Sequence, residues 1–95
     1  MTVCDITLNS ENGWENVASL ISAKTGNTFT FASDKKYYFQ VKNGTVLFNN
    51  NSATPTDNSG LIADRGEQVV MLIASGNLYA LANGGKAVVN VSAED

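Results

Sequence analysis

The side chains able to do acid–base chemistry in this chain are almost all carboxylates: Asp5, Glu11, Glu15, Asp34, Asp57, Asp64, Glu67, Glu94 and Asp95. Among its 95 residues there is no histidine and one cysteine, Cys4. Without histidine, Ser–His and Cys–His nucleophilic sites cannot form, nor can a zinc site that uses histidine. A single thiol excludes a structural zinc cluster and an intramolecular disulfide. What carboxylates alone can do is hydrolyse a glycoside, and that needs two of them facing each other across a cleft. A chain this short has little material to wall such a cleft, and most of these acids fall at turns, where they are common anyway. The expectation is a protein that is not an enzyme and has no catalytic residue.

Other chemistry is equally thin. Asp57-Asn58-Ser59-Gly60 superficially resembles a calcium loop, but the alternate ligand positions and the distal glutamate of an EF-hand are missing. It reads as an Asx-type turn ended by a positive-φ glycine. Gly84-Gly85 lies between two apolar runs rather than between a strand and a helix, so it is no phosphate loop. No cofactor or metal is expected. Cys4, among Val3, Ile6 and Leu8, reads as a small core hydrophobe.

The charge balance narrows the partners. The net charge is −3, the pI is near 4.6, and the basic residues Lys24, Lys35, Lys36, Lys42, Arg65 and Lys86 are scattered. That pattern builds no phosphate-tracking stripe, so nucleic acid is not expected as a partner. No run approaches the ~18 apolar residues of a membrane span. "MTVCDITLNSENG" lacks a basic start followed by an apolar run, so no signal peptide is expected and folding is placed in a reducing compartment. The triplets Asn43-Gly44-Thr45, Asn50-Asn51-Ser52 and Asn90-Val91-Ser92 match a glycosylation acceptor, which without a leader is coincidence in an asparagine-rich chain.

The elements that must position these residues are mostly strands. "YYFQVKNGTVLFN", Tyr37 to Asn49, alternates on both sides of Asn43-Gly44, the strongest short hairpin signal. A two-residue turn there would pair Lys42 with Thr45, Val41 with Val46 and Phe39 with Phe48. Tyr37, Phe39, Val41, Val46 and Phe48 then share the core face, with Leu47 the one apolar residue on the polar face. A second hairpin is expected about Gly84-Gly85, with Ala82 opposite Ala87, Ala80 opposite Val89 and Leu78 opposite Val91. Ala80 and Ala82 leave room for a bulky residue of an opposing layer, Trp14 or a phenylalanine.

Glu67 to Ala74 reads as a mostly buried strand between turns at Asp64-Arg65-Gly66 and Ser75-Gly76-Asn77, with a short run at Leu61-Ile62-Ala63 before it. Thr2 to Leu8 and Asn27 to Ala32 also alternate as strands. Asn12 to Thr25 is open between two forms. Trp14, Val17, Ala18 and Ile21 have helical spacing, Asn12 and Glu15 have capping-box spacing, and Gly26 would stop a helix. A strand over Trp14 to Ala18 fits equally. Turn signals every 8–12 residues indicate a single all-β domain over residues 1–95. The fold expected is a small antiparallel β-sandwich, jelly-roll-like, of seven to eight short strands, with residues 13–24 either helix or strand.

The order of these signals resembles the small β-sandwich accessory proteins of tailed-phage virions. Their run is a Trp strand, a Tyr-x-x-Gln strand, a Ser-Ala-x-x-Pro loop, a Gly-Glu/Asp turn and a Leu-Tyr-Ala strand. Here these stand as Gly13-Trp14, "YYFQV", "NSATPTDNSG", "GEQV" and "NLYALA", from Trp14 to Val91. The glycine usual before the Tyr-x-x-Gln strand is replaced by Asp34-Lys35-Lys36. The resemblance tips residues 14–18 towards strand. It implies a structural virion protein made in the host cytoplasm, a capsid decoration, head-fibre or tail-associated piece that binds capsid or tail proteins. It also implies a homo-oligomer, with a trimer favoured. The alternative is a tail-associated carbohydrate- or receptor-binding module.

Twelve asparagines, eight serines and eight threonines suit an exterior that is hydrated without strong charge. Asn49 to Gly60 is expected either to span an edge or end of the sandwich as a contact loop or to be an exposed crossover between sheets. Its Asn, Asp and Ser side chains can bond their own backbone, and Pro55 stiffens its centre. The interface residues expected are Tyr38, Leu47 and Tyr79, outward and uncharged, with Asn50, Pro55 and Asp57 from the loop.

Overall fold

A computed structural model describes residues 2–51 and 53–94. Among them are eight strands: β1 (Thr2–Asn9), β2 (Glu15–Asn16), β3 (Lys36–Asn43), β4 (Thr45–Asn49), β5 (Leu61–Asp64), β6 (Gln68–Leu72), β7 (Tyr79–Ala82) and β8 (Lys86–Ala93). One α-helix, α1, spans Val17–Thr25, and a 3₁₀ turn covers Ser10–Asn12. The strands form two antiparallel four-stranded sheets, in the orders β1-β8-β3-β6 and β2-β7-β4-β5. Two interleaved Greek keys of this kind make an eight-stranded jelly roll. The all-β sandwich expected from sequence is the fold observed.

The two hairpins are not. β3 lies between β8 and β6 in one sheet, while β4 lies between β7 and β5 in the other. Asn43-Gly44 therefore carries the chain across the sandwich, and Gly84-Gly85 does the same from β7 to β8. A type I′ turn needs positive φ at both central residues. Gly44 has φ 81°, but no non-glycine residue is positive among the described residues, Asn43 included. The β3–β8 ladder also slips between Val41 and Asn43, leaving Lys42 as an extra residue. Such a bulge bends a strand and lets it change layers.

Gly44 is required here by crowding as well as by φ. A Cβ on it would stand 2.8 Å from the Lys86 carbonyl oxygen and 3.0 Å from the Ala87 Cβ. The core face was nonetheless read correctly, since Tyr37, Phe39, Val41, Val46, Phe48, Leu78, Ala80, Ala82, Ala87, Val89 and Val91 are all buried. Alternation reports which side chains point inward. It does not report whether two strands lie side by side or across the core from each other.

Residues 14–25 turn out to be strand and helix in succession. Asn16, rather than Asn12, caps α1, its Oδ1 accepting from the Ser19 N–H at 3.1 Å. Glu15 instead accepts from the Asn9 N–H and the Asn12 side-chain amide. Gly26 ends the helix in the left-handed conformation. Val17 and Ile21, four residues apart, are fully buried against the sandwich. Burying each stabilises the fold by about 1.5–3 kcal/mol. In this way α1 packs on β1 and β2 and closes that side of the sandwich.

Residues 27–32, expected as a strand, are irregular. Their phenylalanines still find the core: Phe29 meets Phe31 edge-to-face at 5.0 Å between ring centroids, and Phe31 meets Tyr37 at 4.8 Å. The Ala32 N–H donates to the Tyr37 hydroxyl at 2.7 Å, which satisfies that buried phenol. Phe39 of one sheet faces Phe48 of the other at 5.5 Å, beside Ala80. The bulky partner expected near the alanines is thus a phenylalanine, while Trp14 lies half-buried outside the core. No polar or charged residue is buried among the described residues.

Candidate interaction surface

Several of the carboxylates are engaged by hydrogen bonds to side chains and backbone. Asp5 accepts from Lys42 Nζ at 2.9 Å and from Asn90 Nδ2 at 2.8 Å on the outer face of the first sheet. Those two bonds, that from Asn90 above all, hold its carboxyl below the usual aspartate range. Asp64 accepts from Thr45 Oγ1, Glu67 accepts from the Asp64 N–H, and Glu94 accepts from the Lys36 N–H. No three Asp, Glu or Cys side chains come together to hold a metal among the described residues. Asp95 and Ser52, named among the acids and the glycosylation triplets, lie outside the described residues. Cys4 is half-buried, and burial, helped by the Asp5 charge, pushes its thiol pKa up. No described helix is long and apolar enough to cross a membrane.

The long loop between β4 and β5 joins two neighbouring strands of one sheet, so it is not the crossover that was one of its two expected forms. It does bond its own backbone. Asp57 accepts from both the N–H and the hydroxyl of Ser59, making the Asx-type turn and lowering the Asp57 pKa. Asn49 donates to the Ser59 carbonyl and accepts from the Asn51 N–H. Trp14 Nε1 donates to the Asp57 carbonyl at 2.8 Å, tying the loop to the residue before β2. Gly60 is not the positive-φ residue expected there. It is needed because a Cβ would sit 2.7 Å from the Phe48 carbonyl oxygen. The loop encloses an open pocket of about 430 Å³ whose lining includes Asn49, Pro55, Asp57 and Ser59.

Of the residues expected at an interface, Tyr38, Leu47 and Tyr79 are all half-buried, and they are not gathered in one place. Tyr38 is outward on the first sheet, opposite Val70 and Ser92. Leu47 and Tyr79 are outward on the second, where Leu47 stands between Ile62 and Leu81 and Tyr79 stands beside Asn49. Asn50 and Asp57 are exposed in the loop, and Pro55 is half-buried there.

The most exposed large hydrophobes were missed: Leu61 at 53%, Ile62 at 57%, Val70 at 50% and Leu72 at 53%. All four lie on β5 and β6, the outermost strands of their sheets, which a short turn at Arg65-Gly66 joins at one end. β6 is therefore an edge strand with alternate residues exposed, not the mostly buried strand expected over 67–74. Between the two edges the sandwich opens into a groove of about 370 Å³, bordered by Phe48, Leu61 and Met71 and by Asn49, Asn50, Asn51 and Gly60 of the β4–β5 connection. One sequence signal points here: Gln68 to Ser75 carries no charge and is apolar at every position from Val69 to Ala74. A one-sided strand needs only alternate apolar residues, so an unbroken run leaves a second apolar face to account for. Compared with family models, curated proteins and solved structures, the chain matches none.

Proposed function

We propose that this protein is a structural component of a tailed-phage virion, a capsid decoration or head-fibre subunit that works by adhesion rather than turnover. Its partners are capsid or tail proteins and further copies of itself. The observation that carries the reading is a jelly roll whose two edge strands expose large hydrophobes, Val70 and Leu72 outward on the first sheet and Ile62 outward on the second. That architecture serves viral capsid and lectin domains, and fold analogy narrows the class without specifying the partner. The surface adds the rest. Burying the exposed halves of Leu61, Ile62, Val70 and Leu72 is worth roughly 3–6 kcal/mol per copy. Association itself costs about 4–15 kcal/mol. Contacts of that strength, spread over two edges, hold weakly alone and firmly when repeated by symmetry, as in a particle shell.

The polar exterior fits the same role, because asparagine, serine and threonine hydrate the remaining surface with little charge. The test is immunogold electron microscopy of purified particles from cultures expressing the protein, using antibody raised against the recombinant chain. Labelling at regular positions on heads or tails is expected; particles that never label would refute the assignment.

A second reading is a tail-associated carbohydrate- or receptor-binding module. What favours it is the polar pocket of the β4–β5 loop, ordered by its own hydrogen bonds and held by Trp14. A glycan array separates the two: it is blank for an adhesive shell component and shows a saturable ligand for a sugar-binding module.

A further inference from the structure

We propose that Asn83 is a self-modification site: the Gly84 backbone nitrogen displaces its side-chain amide, converting it to aspartate and isoaspartate in the folded protein. The reaction needs only water, and it is independent of what the protein binds.

Three asparagines are followed by glycine: Asn12, Asn43 and Asn83. Such a pair is prone to cyclise, because no side chain on the glycine shields its nitrogen or restricts its backbone. That nitrogen gives up its proton to solvent and bonds to the asparagine Cγ, the Cγ–Nδ2 bond breaks, and ammonia leaves. Water then opens the five-membered imide. Cleavage at Cγ yields aspartate; cleavage at the main-chain carbonyl yields isoaspartate, whose backbone runs through the former side chain. In a folded chain this requires a free side-chain amide, a free glycine N–H and room for the peptide between them to turn.

These requirements separate the three pairs. Asn12 Nδ2 donates to Glu15 Oε1 at 3.2 Å, and the Gly13 N–H donates to the Ser10 carbonyl at 3.2 Å. Asn43 is fixed in the β3–β8 ladder opposite Val88, and Gly44 is wedged against Lys86 and Ala87. At Asn83 neither restraint holds. Asn83 and Gly84 are both exposed, and neither the Asn83 side-chain amide nor the Gly84 N–H makes a hydrogen bond among the described residues. Nothing lies within 4 Å of a Cβ built on Gly84.

The corner is nevertheless anchored on both sides of that peptide. The Asn83 N–H donates to the Thr45 carbonyl at 2.9 Å, while Gly85 exchanges two bonds with Ser10, at 2.8 and 2.9 Å. The peptide between residues 83 and 84 is the loose link. It swings by opposite changes in Asn83 ψ and Gly84 φ without moving the anchors, and glycine accepts either sign of φ. Isoaspartate inserts one extra main-chain atom between those anchors, where β7 passes to β8. Either product adds a negative charge to a chain whose net charge is −3.

The experiment is peptide mapping by mass spectrometry of the unmodified protein held in mildly alkaline buffer, folded and in parallel unfolded in urea. Incubation continues until all three pairs have converted in urea, and each folded-state rate is divided by the urea rate of the same pair. That ratio is expected to be at least ~10-fold higher at Asn83 than at Asn12 or Asn43, which react only when the chain opens locally. Asn83→Gln is expected to remove most of the acidic species that the folded parent accumulates on ion exchange. Similar ratios at the three pairs, a higher ratio at Asn12 or Asn43, or an Asn83 that stays intact in the folded sample would overturn the proposal. The peptide map decides this on the unmodified chain, whether or not Asn83→Gln folds.

Discussion

Replacing Gly44 by alanine tests the topology itself. In the structure Gly44 has φ 81°, and an added Cβ falls 2.8 Å from a backbone oxygen, Lys86 O, and 3.0–3.1 Å from Ala87. Two costs follow: the left-handed backbone penalises a side chain by about 1–2 kcal/mol, and forcing the Cβ against backbone that cannot rotate away adds about 1–3 kcal/mol. Gly84→Ala is the control, because Gly84 has φ 84° but nothing within 4 Å of its would-be Cβ. It carries the first cost without the second. The loss of unfolded-state entropy is the same for both and cancels in the comparison.

Urea denaturation should therefore show Gly44→Ala about 2–5 kcal/mol less stable than the parent and Gly84→Ala only about 1–2 kcal/mol less. For a domain of this size each kcal/mol corresponds to about 4–8 °C in Tm. Gly44→Asn sharpens the point. A two-residue hairpin turn accepts asparagine in the left-handed conformation, whereas the sheet-switching corner has no room for its Cβ. If Gly44→Asn matched the parent within about 0.5 kcal/mol, the crossing from β3 to β4 would be wrong and the simple hairpin restored.

Two further outcomes follow from the surface. Trp14→Phe removes the indole donor to Asp57 and should cost about 1 kcal/mol. Limited proteolysis should then cut faster between Ala53 and Asn58, and unchanged cleavage would show that the indole does not hold the loop. Asp5 is held below the usual aspartate range by Asn90 and Lys42, so its charged form is favoured by folding. Its contribution is present above the unfolded aspartate value of 3.8 and fades as pH falls through the lower folded value. The stability gap between the parent and Asp5→Asn should therefore narrow below about pH 4 and be constant above it; a gap that widens on acidification would contradict the assignment.

Much of the architecture was legible in the order of residues. The alternation of Tyr37, Phe39, Val41, Val46, Phe48, Val89 and Val91 determined which side chains face the core, because the two-residue period of a strand is a local property. The turn positions at Arg65-Gly66, Gly76 and Gly84-Gly85 were equally local, as was the self-bonding of the Asp57–Ser59 loop. The signals for residues 14–25 conflicted because both were correct: Glu15 and Asn16 pair with β7, and the helix begins one residue later. The exposed side was missed because an unbroken apolar run such as Val69 to Ala74 reads as burial, when burial also depends on what lies beside the strand.

What only the tertiary structure decided is which strand neighbours which. Of the seven connections between consecutive strands, only β4 to β5 stays within one sheet. A Greek-key sandwich pairs β1 with β8 and β3 with β6 through contacts distant in sequence, and no turn residue encodes a partner far along the chain. Asn43-Gly44 carries the same local signal in either topology. The bulge at Lys42 and the close approach of Gly44 to Lys86 and Ala87 turn it into a corner, and both depend on β8 being in place.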